Sequence, residues 1–78
     1  MKITISRHAK RRMKLYSINE NDIKILIKEN IQIKTIGKYE IIANLKKFTY
    51  PLKAIIEIRE TDIFIITCYP LKRARNEN

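Results

Sequence analysis

The sequence predicts an α+β fold: a short N-terminal strand, a two-helix hairpin, then a three- to four-stranded antiparallel sheet. Three observations carry this. Apolar residues recur at helical spacing between residues 7 and 30, the period switches to two from residue 31 onward, and the polar breaks between segments are short. With 78 residues the chain makes one domain spanning 1–78, with a thin core that every apolar stripe must share.

Ile3 to Ile5 alternate with polar neighbours and read as the first strand. Ser6 is a favourable N-cap for a helix from Arg7 to Tyr16, because its hydroxyl can accept a free backbone N–H. Ala9, Met13 and Tyr16 form the apolar stripe of that helix, with Arg7, Arg11 and Lys14 opposite. His8 and Arg12, one turn apart, flank the stripe at the edge of the core. Asn19 caps a second helix ending near Asn30. Glu20 and Asp22 favour the positive end of its dipole, and Ile23, Leu26 and Ile27 face inward.

Ile31, Ile33 and Thr35 alternate as a strand, with a turn at Gly37-Lys38. Tyr39, Ile41, Ala43 and Leu45 share one face of the next strand. Pro51 cannot donate to a ladder, so residues 46–52 read as an edge or loop. Lys53–Ile58 and Ile63–Cys68 are the strongest strands, joined by the turn Arg59-Glu60-Thr61-Asp62. The last is apolar at nearly every position, which places it centrally with both faces covered; Pro70 ends it.

Seventeen Lys and Arg against eight acids give a formal charge of +9, enough to attract polyanions at long range. Lys has risen without Glu, which favours polyanion binding over a heat-adapted surface. A lone Cys68 forms no internal disulfide and fits a reducing compartment, with a core position rather than a nucleophilic one. No run approaches the roughly 20 apolar residues of a membrane span, and residues 1–6 lack the apolar core of a signal peptide. The expected location is the cytoplasm. One His and one Cys make no metal site, and a solitary Gly37 makes no phosphate loop, so no metal or other cofactor is expected.

Two segments carry candidate chemistry. Arg7-His8-Ala9-Lys10-Arg11-Arg12 opens a helix, where free N–H groups favour phosphate. Arg adds bidentate donors for phosphate oxygens, and His8 can move protons near neutral pH. The same residues also suit a solvated helix face with His8 capping or packing. Thr67-Cys68-Tyr69-Pro70-Leu71-Lys72-Arg73-Ala74-Arg75 places a phenol before three cations, which suits base stacking and phosphate contact, or simple rim packing with a basic tail. Lys46, Lys47, Lys53 and Arg59, with Tyr50 among them, extend the basic surface.

Ser6-Arg7-His8-Ala9-Lys10-Arg11-Arg12-Met13, followed by Ser17-Ile18-Asn19 and later Ile65-Ile66-Thr67-Cys68-Tyr69-Pro70, resembles a family of small uncharacterised His-Ala/Arg-Met proteins. That family looks related to the RelE/ParE-like toxin superfamily, with BrnT-like proteins nearby. The resemblance implies a small α+β toxin of a toxin–antitoxin pair that cleaves messenger RNA, often on the ribosome, and is neutralised by a cognate antitoxin. It implies a catalytic set of His8, Arg12, Tyr69 and Arg73: His8 as base or acid, the two arginines as phosphate clamps, Tyr69 stacking on a base or donating a proton. RNA contacts would come from Arg7, Arg11, Lys46, Lys47, Lys72 and Arg75. Where the family often has Arg-Gly before the second helix, this chain has Tyr16-Ser17. Two alternatives use the same surface: a non-catalytic RNA- or DNA-binding module, and a ParE-like gyrase inhibitor.

Overall fold

The computed structural model describes residues 2–30 and 35–71. The elements run β1 (Lys2–Ile5), α1 (Arg7–Leu15), α2 (Glu20–Asn30), β2 (Gly37–Ala43), β3 (Leu52–Ile58) and β4 (Asp62–Pro70). The sheet order is β1-β4-β3-β2. β2, β3 and β4 form an antiparallel meander, while β1 lies parallel to β4 with Ile3 opposite Ile63 and Ile5 opposite Ile65. The sheet is therefore mixed, and the last strand is central as expected.

Ser6 joins three elements. Its hydroxyl accepts the Ala9 N–H at 2.9 Å, capping α1, and donates to the Ile66 carbonyl at 2.8 Å. Its own N–H donates to the Ile65 carbonyl at 3.0 Å. The chain thus leaves β1 and enters α1 while still bonded to β4.

α1 ends in a Schellman-type cap: Ile18 N–H bonds the Met13 carbonyl at 2.8 Å, and Ser17 takes a φ of 57°. A reciprocal cap starts α2, with Asp22 N–H on Asn19 Oδ1 at 2.9 Å and Asn19 N–H on Asp22 Oδ2 at 3.0 Å. Asp22 is buried, and its Oδ2 also accepts Lys47 Nζ at 3.0 Å. One carboxylate therefore closes the start of α2 and holds the β2–β3 loop.

One buried cluster unites Ala9 and Met13 of α1, Ile23, Leu26 and Ile27 of α2, and Leu52, Ala54, Ile56 and Ile58 of β3. Each fully buried Ile or Leu side chain contributes about 1.5–3 kcal/mol of transfer free energy. Both helices cover the same face of the sheet. The opposite face carries Lys53, Ile55 and Glu57 of β3, all half-buried. Among the described residues β4 is covered there by side chains rather than by a second layer: the Arg59 guanidinium lies 4.3 Å from the Phe64 ring centroid.

One expectation changes, a second lies mostly outside the described residues, and a third holds with a longer strand. The turn at Gly37-Lys38 is instead the start of β2, with Gly37 at a φ of 153° that L residues rarely adopt. Most of the strand expected over Ile31, Ile33 and Thr35 lies outside the described residues. Pro70 ends β4 as expected, with the strand running two residues past Cys68.

β4 also contains an irregularity that a period-two reading misses. Ile55 pairs with Thr67 and Ile56 with Ile65, so Ile66 is an extra residue in the ladder. Before this bulge Ile63 and Ile65 point to the helices; after it Cys68 does, fully buried. Tyr69 is thereby turned to the open face, directly opposite Lys53.

Candidate nucleic-acid interface

α1 is basic because Arg7, Lys10, Arg11, Arg12 and Lys14 fill every turn outside its Ala9–Met13 stripe. It has no acid in its first turn, and none of the five makes an ion pair among the described residues. By contrast, Lys47 is bound to Asp22, Lys53 to Glu40, and Arg59 to Glu57 and Asp62. Lys2, Lys24, Lys28, Lys38 and Lys46 make no ion pair among the described residues either, but they are scattered, whereas α1 holds five such cations in nine residues without an acid.

β1 pairs only with residues 62–65 of β4, which leaves α1 alongside the second half of that strand. Arg12 reaches Tyr69 there, its guanidinium carbon 5.2 Å from the ring centroid. A cation over an aromatic face keeps its charge and its in-plane donors while its orientation is restricted. His8, Arg11, Arg12 and Leu15 line a shallow cleft of about 330 Å³ beside this contact. His8, Arg12 and Tyr69, far apart in part along the chain, thus gather on one surface.

Arg12 is half-buried, as its place beside the stripe predicts. His8 is not at the edge of the core: its side chain is exposed and makes no hydrogen bond among the described residues. The reason is geometric. Ser6 supplies the cap of α1, and Ala9 is the residue that the first turn buries.

On the other side of Tyr69, Lys53 lies between that phenol and Glu40. Glu40 holds the ammonium above the ordinary lysine range, Tyr69 adds to the effect, and partial burial opposes it. Lys53 was legible only as one more cation; its place in the row needs the β3–β4 register. A second cleft of about 380 Å³ adjoins at Pro70, lined by Tyr16, Phe48 and Tyr50 together with Lys47. Tyr16 and Phe48 carry no sequence signal for this role, since Tyr16 reads as part of the α1 stripe and Phe48 falls in the segment 46–52 that reads as an edge or loop.

Among the remaining expected contacts, Arg7 and Arg11 are exposed on α1, and Lys46 is exposed on the β2–β3 loop. Lys47 is half exposed, its ammonium already bonded to Asp22 and 5.4 Å from the Phe48 ring centroid. Lys72, Arg73 and Arg75 lie outside the described residues.

No family model, characterised protein or solved structure matches the chain.

Buried Cys68 takes no part in the surface. Burial, and secondarily the charge of Asp22, pushes its thiol up to about 11. No group of three or more His, Cys, Asp or Glu side chains with metal-binding geometry occurs among the described residues, and no helix is long and apolar enough to cross a membrane. The surface can offer phosphate oxygens several exposed cations, one guanidinium packed on an aromatic ring, a phenol and an imidazole.

Proposed function

We propose that the protein is an RNA-cleaving toxin of a toxin–antitoxin pair, acting in the cytoplasm on messenger RNA. The observation that carries the reading is the Arg12–Tyr69 contact beside the His8 cleft on a chain of formal charge +9. These are the groups that side-chain-driven RNA cleavage requires. The ribose 2′-oxygen attacks the adjacent phosphorus, and a base removes its proton. The bond from phosphorus to the 5′-oxygen breaks, and an acid protonates that leaving oxygen. Products are a 2′,3′-cyclic phosphate and a free 5′-hydroxyl.

His8 moves one of those protons. Arg12 donates to the phosphate oxygens that gain charge in the pentavalent state, with Arg73 as the second clamp. Tyr69 stacks on a neighbouring base or donates the other proton. An antitoxin with an acidic surface neutralises the protein by covering α1.

A second reading is favoured by one observation: nothing among the described residues holds the exposed His8 imidazole in place. A module that binds RNA or DNA without cleaving it needs no oriented imidazole.

The test is induced expression of wild type and of the His8→Ala, Arg12→Ala double variant, with growth, translation and messenger RNA 5′ ends as readouts. Arrest with new RNA ends in wild type alone supports the nuclease. Arrest accompanied by DNA damage and intact RNA points to topoisomerase inhibition instead. Without arrest in either, while the purified protein still binds RNA, only the binding module survives.

A further inference from the structure

Among the described residues β2 is an edge of the sheet, hydrogen-bonded on one side only, to β3. Edge strands present unpaired backbone groups that can accept another strand, and proteins usually blunt them with charge, proline or bulges. β2 has no proline and no bulge against β3. Its open face and the residue preceding it carry Ile36, Lys38, Glu40 and Ile42. Ile36 and Ile42 are 61% and 56% exposed, two of the four large apolar side chains most open to solvent among the described residues.

The order Ile-Lys-Glu-Ile at every second position is self-complementary. We propose that β2 pairs antiparallel with β2 of a second copy of this chain, about a two-fold axis through Tyr39. In that register Ile36 faces the other copy's Ile42, and Lys38 faces its Glu40, each pair occurring twice. On the helix-covered face Tyr39 meets Tyr39, and Gly37 leaves room opposite Ile41. Directly opposed residues in an antiparallel pair share a face, so registers move in steps of two. Centring on Lys38 would oppose Lys38 to itself, and centring on Glu40 would oppose Glu40 to itself. Like charges directly opposite are unfavourable, so one register stands out. Glu40 is already held on the open face by its ion pair with Lys53.

The result is a continuous eight-stranded sheet with both open faces on one side. The two Arg12–Tyr69 surfaces then share that side, five strand spacings or about 24 Å apart across the strands. The association stands on the β2 pattern alone and holds whatever the chain binds. Two copies of charge +9 repel, so the pairing strengthens as salt is added.

Sedimentation equilibrium of the full chain tests this over a concentration series reaching about 1 mM. A reversible monomer–dimer equilibrium is expected, tighter at high salt. Ile42→Lys, at an exposed position that leaves the fold intact, weakens it about tenfold. The register is read by oxidising cysteine variants. Ile36→Cys with Ile42→Cys in one chain cross-links, while either single variant does not, since each cysteine then faces isoleucine; Cys68 is buried and does not compete. A wild type that stays monomeric throughout, a dimer indifferent to Ile42→Lys, or single variants that cross-link as readily as the double one overturns the proposal.

Discussion

A single inserted residue decides what Tyr69 can do. Without the bulge at Ile66, Tyr69 would follow Ile63 and Ile65 into the core, and Cys68 would face outward. The bulge exchanges them, and the Ile66 carbonyl is bonded by the same Ser6 hydroxyl that caps α1. Strand bulges commonly re-aim a side chain beside a working surface. Cys68 reports the other half of the exchange. Its thiol is pushed from an ordinary 9.0 to about 11, so the buried group stays neutral while the unfolded chain ionises. A neutral buried acid stabilises the fold below its unfolded value, and that contribution is lost as pH rises from 9 to about 11. Urea unfolding across this window should show wild type losing about 2–3 kcal/mol more than Cys68→Ala loses, since one pKa unit corresponds to about 1.4 kcal/mol. Equal pH slopes in the two proteins would rule out a thiol that ionises only on unfolding.

At the scale of elements, the most consequential side chain is Asp22, which closes the α2 cap and binds Lys47 from the β2–β3 loop. These two contacts are unequal. Asp22→Ala leaves the Asn19 N–H without its acceptor in a part-buried site and removes the reciprocal cap, a cost of about 2 kcal/mol. Lys47→Ala removes a half-exposed ammonium and should cost under about 1 kcal/mol. Thermal melts of both variants check the order, and a Lys47→Ala loss equal to that of Asp22→Ala would mean the ion pair, not the cap, dominates. The cap itself was legible, because Asn19 and Asp22 sit at local spacing; the ion pair was not, because its partners belong to different elements. The same division runs through the fold. Helices and strands follow from local periodicity, so α1, α2, β3 and β4 fall close to where the sequence puts them. The parallel β1–β4 pairing, the bulge and the start of β2 at Gly37 depend on nonlocal register, which no local period contains. His8 and Arg12 share a cleft because an i, i+4 step on a helix dictates it, whereas the meeting of Arg12 with Tyr69 depends on α1 lying along the free edge of β4.

Across the whole molecule, the net charge is less informative than its distribution. Lys47, Lys53 and Arg59 are each matched by acids on the fold, while the five cations of α1 are not. A polyanion replaces counterions most favourably where charge is uncompensated, so affinity for single-stranded RNA should follow α1 rather than the total of +9. Each phosphate contact on a single strand contributes about 0.7 to the slope of log affinity against log salt. Arg11→Gln and Arg12→Gln should each lower that slope by about 0.7 and weaken binding several-fold at low salt. Lys53→Gln and Arg59→Gln remove the same formal charge but should leave the slope nearly unchanged, because each loss also frees an acid on the same surface. Fluorescence titrations of a labelled oligonucleotide at several salt concentrations separate the cases. Equal losses for all four variants would mean that a diffuse field, not α1, holds the RNA, and the His8–Arg12–Tyr69 surface would then lose its claim to be where the strand lies.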